Sequence, residues 1–192
     1  MLAELLVQFP VYRTYADARG RNAGDAALMQ TVIAATAAQC RPADRRVLEH
    51  VDRWLGGEAP DAIADAAGRR LRLRAIARFQ QLSAPTAAKS VEDTAFYRHG
   101  KLLSRNEVGA NPAQFALSPA DFHAEARARR RDYPDALLAT ATHDHKRGED
   151  LRVRLAVLSE LPEAWRQQLE HWRAQNAALR PATGPDAADE TM

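Results

Sequence analysis

The run Ala136-Leu137-Leu138-Ala139-Thr140-Ala141-Thr142 is the stretch of sequence on which the fold class depends. It is short, uncharged and largely apolar, and polar or turn-forming residues flank it on both sides. Such a run is typical of a strand that is buried on both faces of a parallel sheet. We therefore predict a strand at residues 136–142, with the polar side chains that follow it standing at its carboxyl end.

Outside this run, helical periodicity dominates the sequence. Helices are predicted at residues 2–9, 25–39, 43–55, 60–82, 90–97, 118–132, 147–158 and 163–179. Pro85 is expected to close the fourth of them. A second short strand is predicted at residues 11–15, where aromatic or β-branched residues alternate with polar ones. The chain is thus expected to be mainly α-helical with one or two short strands. Because a lone parallel strand has no sheet to join, either the run is a misread helical segment or its sheet lies outside this chain.

Composition and charge limit the possible classes of protein. The 192 residues suffice for one ordinary domain, and 46% hydrophobic with 27% charged residues is typical of a globular protein rather than a disordered one. A formal net charge of only +2 argues against a dedicated nucleic-acid-binding protein. The one dense basic run, residues 127–131, is predicted to end a helix, where positive charge is favourable.

The single cysteine and the lack of long apolar runs predict the compartment. Cys40 has no second cysteine with which to form a disulfide, so a reducing environment is expected. No run approaches the ~20 apolar residues that a membrane span needs. The N-terminus does not show the pattern of a secretory signal. We therefore expect a cytoplasmic protein that does not bind membranes.

The densest polar cluster, residues 142–150, follows the predicted strand directly. Barrels of the α/β type build their active sites at such strand ends. Three interpretations stay open from these residues alone. Asp144 and its neighbours form a sugar-binding or acid–base site, or His143, Asp144 and His145 bind a metal, or Asp144 caps the next helix while the surrounding charges pair. No further ligand lies at suitable spacing, which disfavours the metal site.

A second polar cluster lies at residues 89–98. Ser90 is expected to be the N-cap of a helix, with Asp93 three residues later in a short version of the capping box. Acidic residues also suit the positive end of a helix. Spacing alone therefore does not make this cluster a functional site.

Several blocks of the sequence, in this order, resemble maltooligosyltrehalose synthase. The blocks are FPVYRTY at 9–15, AKSVEDTAFYR at 88–98, NEVG at 106–109, THD at 142–144 with KR at 146–147 and ED at 149–150, and LSELP at 158–162 with Trp165. No single block identifies this family. The occurrence of all the blocks in the family's order, along nearly the whole chain, is highly specific for it.

The resemblance implies part of a (β/α)₈ barrel of the α-amylase superfamily that carries a helical insertion. Residues 1–15 would hold a barrel helix end and a strand, 16–134 the helical insertion and barrel-associated helices, 135–180 a barrel strand with its following helices, and 181–192 a flexible tail. A complete barrel needs roughly 200–250 residues. The chain is thus expected to lack N-terminal and C-terminal parts of the synthase, and to expose apolar surface where absent strands would pack.

The resemblance also implies an activity, that of a (1→4)-α-D-glucan 1-α-D-glucosylmutase. Such an enzyme converts the reducing-end α-1,4 linkage of a maltooligosaccharide into an α,α-1,1 linkage. Asp144 matches the third catalytic carboxylate of the superfamily, and His143 matches the sugar-binding histidine beside it. The nucleophile and the general acid precede the FPVYRTY block in the family, so the chain is expected to lack them and to be inactive alone. Further implied substrate-binding residues are Lys89, Glu92, Asp93, Tyr97, Lys146 and Arg147.

Two positions depart from the family pattern. Ser90 stands where the family usually has glycine, and His145 stands where it usually has threonine. A side chain at position 90 would be costly if that glycine adopts a positive φ.

The resemblance implies a small set of partners and no cofactor or metal. The partners are a maltooligosaccharide substrate, the missing remainder of the synthase chain and, as a functional link, maltooligosyltrehalose trehalohydrolase. Neither nucleic acid nor membrane is among them. One alternative is a free-standing helical interaction protein, which would bury Leu137 and Leu138 in a compact bundle. The other is a metal-dependent His-Asp phosphohydrolase, which needs further ligands near His143 and Asp144.

Overall fold

The structure, a computed structural model, describes residues 1–98, 102–111, 113–114 and 116–179. The described residues are mainly helical, as predicted. The α-helices are α1 (Leu2–Val7), α2 (Ala23–Gln39), α3 (Arg45–Asp52), α4 (Ala66–Ala87), α5 (Phe96–Arg98), α6 (Pro119–Asp132), α7 (Glu149–Val157) and α8 (Pro162–Asn176). Single 3₁₀ turns lie at Pro42–Asp44, Pro60–Ala62, Leu103–Arg105 and Ala177–Leu179, and wider π-helical turns at Arg53–Gly57 and Ala88–Ala95. None of the described helices is long and apolar enough to cross a membrane. The tail expected at residues 181–192 lies outside the described part of the chain.

The chain divides into two compact units, Met1–Ser90 and Val91–Met192. In the first unit, α1 and α3 pack against α2, and α4 packs against the turn at Arg53–Gly57. Apolar side chains from all four helices and their connections form one buried core: Leu5, Phe9, Met29, Val32, Leu48, Leu55 and Phe79. The rings of Phe9 and Phe79 meet edge to face with centroids 5.4 Å apart, an arrangement that aromatic pairs favour.

The predicted strand at residues 11–15 is not a strand. This segment has no regular secondary structure, and the backbone N–H of Tyr15 donates to the Asp25 carboxylate over 2.7 Å. Asn22 caps the same helix terminus by accepting from the N–H of Asp25 over 2.8 Å. The segment is therefore tied to the N-terminus of α2 instead of pairing with a neighbouring strand.

The predicted buried strand at residues 136–142 is also not found, and its burial was predicted wrongly for this chain. The segment has no regular secondary structure, and Leu137 and Leu138 are 99% and 74% exposed. A strand requires neighbouring strands to pair its backbone N–H and C=O groups, and no strand is present in the described residues. Exposure of Leu137 and Leu138 agrees with the interpretation of the chain as part of a larger enzyme. A free-standing helical interaction protein would bury both side chains.

Two expected helix boundaries near Pro85 are also wrong. Pro85 lies inside α4, which continues to Ala87 and passes directly into the π-helical turn at Ala88–Ala95. Proline cannot donate the normal helical hydrogen bond and crowds the preceding turn, yet α4 accommodates Pro85 and changes to π-helical geometry only from Ala88 onward. Ser90 is consequently not an N-cap, and its hydroxyl donates to the carbonyl of Ala87 over 3.1 Å. No non-glycine residue of the described chain has a positive φ, so Ser90 is not strained in that way.

Candidate functional site

Glu107 is the central residue of the best-organised polar cluster in the second unit. Its side chain is only 4% exposed. One carboxylate oxygen accepts the backbone N–H of Lys146 over 2.6 Å, and the other accepts the N–H of Arg147 over 3.0 Å. The backbone N–H of Val108 also donates to this carboxylate, over 3.2 Å. One buried acid thus binds the consecutive N–H groups of residues 146 and 147.

Burial and hydrogen bonding act in opposite directions on the pKa of Glu107. Burial raises the pKa, because removal from water disfavours the charged carboxylate. The backbone N–H groups of Lys146, Val108 and Arg147 stabilise the charged form, with a smaller contribution from the charge of His145, and together they outweigh burial. The net effect is a pKa below the ordinary glutamate value of 4.5. Glu107 is therefore ionised at neutral pH.

The segment that includes Ala88–Ala95 and α5 forms the opposite side of this cluster. The Lys146 ammonium lies 2.9 Å from the Asp93 carboxylate, and the hydrogen bond with Asp93 raises the pKa of Lys146 above its ordinary value. The Glu92 carboxylate accepts the backbone N–H of Gly109 over 3.3 Å. The buried side-chain amide of Asn106 donates to the carbonyl of Phe96 over 2.9 Å. These contacts connect three segments that are distant in sequence.

A small cleft with a cavity volume of about 10 Å³ lies between these segments, which is room for about one water molecule. Its described lining consists of Glu92, Phe96, Tyr97, Asn106, Lys146 and Arg147. A carboxylate, an amide, a phenol and two cations are suitable donors and acceptors for hydroxyl groups. The structure therefore brings together Glu92, Tyr97, Lys146 and Arg147 from the predicted site residues, with Asp93 in contact with Lys146.

Asp144 lies on a tight turn just before Lys146. The backbone N–H of Thr142 donates to Nδ1 of His145 over 2.9 Å, and the N–H of Asp144 approaches the Thr142 hydroxyl at 3.3 Å. The His143 ring and the Asp144 carboxylate are 3.4 Å apart, with side chains 91% and 67% exposed. Both predicted residues are therefore accessible. Neither belongs to the described lining of the cleft.

Lys89 is the one remaining predicted binding residue. It belongs to the first unit, Met1–Ser90, and its side chain is exposed. The described lining of the cleft does not include it. Its assignment to a binding site therefore remains a prediction.

Sequence reasoning did not select Glu107 or Asn106 as site residues, although both belong to a block that carries the family resemblance. Nothing in local spacing shows that Glu107 binds a loop almost forty positions later, since that contact depends on the tertiary fold. The signal in the sequence was the adjacent pair Asn106-Glu107, followed two positions later by Gly109 and outside any predicted helix. Gly109 has a φ of 80°, which favours glycine at that turn.

No group of three or more histidine, cysteine, aspartate or glutamate side chains in the described residues is arranged to hold a metal ion.

Comparison with known proteins supplies the family context. No family model matches the chain. Proteins named as maltooligosyl trehalose synthase in two strains of Mycobacterium tuberculosis are 35% identical to it over an alignment of 209 positions, gaps included, which covers 96% of this chain and 26% of each relative. The solved maltooligosyltrehalose synthase of Arthrobacter ramosus is 32% identical, with a TM-score of 0.70 over 99% of this chain and 21% of that one.

The predicted resemblance to the maltooligosyltrehalose synthases is confirmed. A hypothetical maltooligosyl trehalose synthase of Sulfolobus tokodaii shares the fold, with a TM-score of 0.62 over 90% of this chain and 20% of that chain at 24% identity. The chain spans about a quarter of the length of the curated maltooligosyl trehalose synthases that it matches.

Proposed function

We propose that this chain is part of a (1→4)-α-D-glucan 1-α-D-glucosylmutase, and that its second unit supplies one side of the glucan-binding site. The observation that carries the proposal is the cleft, where Glu92 and Tyr97 meet Lys146 and Arg147 across some fifty residues of sequence. These residues come from two of the blocks that resemble the synthases. Their side chains offer the donors and acceptors that sugar hydroxyls require.

The proposed reaction is a retaining intramolecular transglycosylation. A carboxylate nucleophile displaces the reducing-end glucose with help from a general acid, and the freed glucose then attacks the glycosyl-enzyme through its anomeric hydroxyl. The bond between the glycosyl group and the nucleophile breaks as the α,α-1,1 bond forms. The former general acid, now acting as a base, accepts the proton of the attacking hydroxyl. The nucleophile and the acid would come from chain outside this sequence, as would the other strands of a (β/α)₈ barrel. Residues 136–142 would join that barrel as a strand.

Asp144 is proposed as the third catalytic carboxylate. A carboxylate that binds sugar hydroxyls more strongly in the distorted, oxocarbenium-like state than in the ground state lowers the barrier. Its accessible position on the turn leaves its oxygens available to a substrate. His143 would donate to a neighbouring hydroxyl, while Lys146, Arg147, Glu92, Asp93 and Tyr97 would hold the glucose units and exclude water. Lys89 is assigned to the same site by family resemblance alone.

The proposal is tested by extending the chain with the coding sequence that flanks it, to the length of its relatives. This extended enzyme is incubated with maltohexaose. Loss of reducing ends and the anomeric signal of an α,α-1,1 linkage are followed by NMR. We expect both changes in the extended enzyme. Flanking sequence without the two missing carboxylates, or hydrolysis to glucose without the new linkage, would overturn the proposal.

Substitution at Asp144 tests its individual role in the extended enzyme. Asp144→Asn should lower turnover by at least about a hundredfold, the scale on which loss of one transition-state contact acts. Asp135→Asn is the matched control, because Asp135 is exposed in the same unit and should leave turnover unchanged. Near-normal turnover of the Asp144 variant would show that a different acid has this role.

A further inference from the structure

We propose that Glu107 is a positioning residue that fixes the turn carrying Asp144 in its productive orientation. The catalytic consequence rests on the proposed function, whereas the structural part stands on the geometry of the chain itself. Glu107 does not approach a substrate position in this role. It acts through the backbone of the residues that follow Asp144.

The geometry of the contact is specific to a carboxylate. Two consecutive backbone N–H groups, those of Lys146 and Arg147, point at the two oxygens of one side chain over 2.6 and 3.0 Å. Successive N–H groups that converge in this way form an anion-binding concavity. Here a buried anion of the protein occupies it. Charge-assisted hydrogen bonds of this kind are about twice as strong as neutral ones.

The position of the contact along the chain determines what it restrains. Asp144 stands two residues before Lys146, and hydrogen bonds among Thr142, Asp144 and His145 hold the turn internally. Those internal bonds fix the shape of the turn but do not attach it to the rest of the unit. Glu107 attaches it through Lys146 and Arg147, and the ion pair between Lys146 and Asp93 adds a side-chain attachment.

Glu107 is in turn anchored at its own position. The neighbouring Asn106 side chain is bonded to the carbonyl of Phe96, and the N–H of Gly109 donates to Glu92. The loop that carries Glu107 is thus tied on both sides to the segment that lines the cleft. One loop therefore sets the spacing between the cleft residues Glu92 and Tyr97 and the turn that bears Asp144.

The first test measures the turn in the full 192-residue chain. Amide hydrogen exchange at residues 142–147 is compared in the wild type, Glu107→Gln, Glu107→Asp and the matched surface control Glu125→Gln, with circular dichroism to check folding. The amides of Lys146 and Arg147 should exchange at least about tenfold faster in Glu107→Gln, because its NH₂ group meets an N–H donor. The control should match the wild type. Glu107→Asp keeps the charge, so its exchange rates should lie between those of the wild type and Glu107→Gln. If Glu107→Gln does not fold, Glu107→Asp provides the test in its place. Unchanged exchange in a folded variant would overturn the proposal.

The second test measures turnover in the extended enzyme. Glu107→Gln should lower kcat by about ten- to a hundredfold, the scale expected when a catalytic group is displaced by about 1 Å. Glu107→Asp should restore part of kcat. An exchange effect without any change in kcat would overturn the positioning role. An extended enzyme in which even the wild type forms no α,α-1,1 linkage would refute the proposed function, while the exchange result would still decide whether Glu107 holds the turn.

Discussion

Glu107 shows how one buried acid is kept charged by its backbone partners. Its lowered pKa means that the folded state favours the carboxylate more than the unfolded state does. Its contribution to stability is therefore fully present above the ordinary value of 4.5. That contribution is lost as the pH falls through the lower pKa of the folded state, where protonation removes an acceptor from the turn.

The lowered pKa of Glu107 predicts that its carboxylate and the two backbone amides bonded to it respond together in an acid titration. The amide shifts of Lys146 and Arg147 should move together with the carboxyl carbon of Glu107 in an NMR titration, with a common midpoint below 4.5. The groups that face the carboxylate are the N–H groups of Val108, Lys146 and Arg147, with His145 as the nearby charge. A midpoint at or above 4.5 would show that burial prevails over the hydrogen bonds.

The ion pair between Lys146 and Asp93 is a second residue-scale feature with a measurable strength. Its side chains are 32% and 28% exposed, so water screens it only in part. A double-mutant cycle with Lys146→Gln and Asp93→Asn should give a favourable coupling energy by urea denaturation, decreasing in high salt. A coupling near zero at low salt would contradict a stabilising pair.

At the residue scale, the roles that family resemblance implies for all the site residues remain predictions, and contacts that depend on the tertiary fold could not be predicted. The sequence indicated Glu92, Tyr97, Lys146 and Arg147 as a group through family resemblance, and the structure brings them to one cleft. The Glu107 contact was not predictable, since the groups that donate to its carboxylate are backbone amides, which carry no sequence signature. The assignment of Asp144 and His143 as site residues remains a prediction.

At the scale of helices, caps determine several boundaries that periodicity alone placed only roughly. The helix predicted to begin near Pro60 starts at Ala66, and the side chain of Asp65 accepts from the N–H groups of Ala67 and Gly68 over 3.2 and 2.6 Å. The Ser118 cap and Pro119 start of α6 were predicted and are found. A hydroxyl followed directly by proline is a strong local signal.

The Asp65 cap gives a prediction for the stability of the first unit. Asp65→Ala should lower the free energy of unfolding by about 1 kcal/mol, because two N–H groups at the start of α4 lose their acceptor. Asp61→Ala is the matched control, since this exposed aspartate lies just outside the same helix. Urea denaturation followed by circular dichroism measures both. Equal stability of the two variants would mean that solvent replaces the cap without cost.

The strands were mispredicted because a strand is not a local structure. Residues 136–142 have a composition that fits a buried strand, yet their backbone groups need neighbouring strands to pair with. The described residues supply none. Helices, whose hydrogen bonds close within the segment, could be placed from periodicity, although Pro85 shows that even a proline does not always end one.

At the scale of the whole molecule, burial is distributed unevenly along the chain. The buried core cluster lies within the first unit, whereas many apolar side chains of residues 117–161 are exposed. Leu48 is 2% exposed in the core. Its replacement by alanine should lower the free energy of unfolding by about 2–5 kcal/mol. Urea denaturation of Leu48→Ala measures this loss, and a change below about 1 kcal/mol would mean that the core is looser than its burial indicates.

The exposed run at residues 136–142 should instead govern association of the chain. Leu137 and Leu138 are 99% and 74% exposed, within an uncharged segment of the kind that promotes intermolecular pairing. The double substitution Leu137→Ser with Leu138→Ser should leave the free energy of unfolding within about 0.5 kcal/mol and reduce self-association in light scattering. Leu151→Ser, at another exposed leucine of the same unit, is the matched control and should leave association unchanged. Loss of stability in the double variant would show that the run is packed in solution, and unchanged association would show that the run is not an interaction surface. Reduced association without destabilisation is the outcome that fits the proposed role of this segment as a strand of a larger sheet.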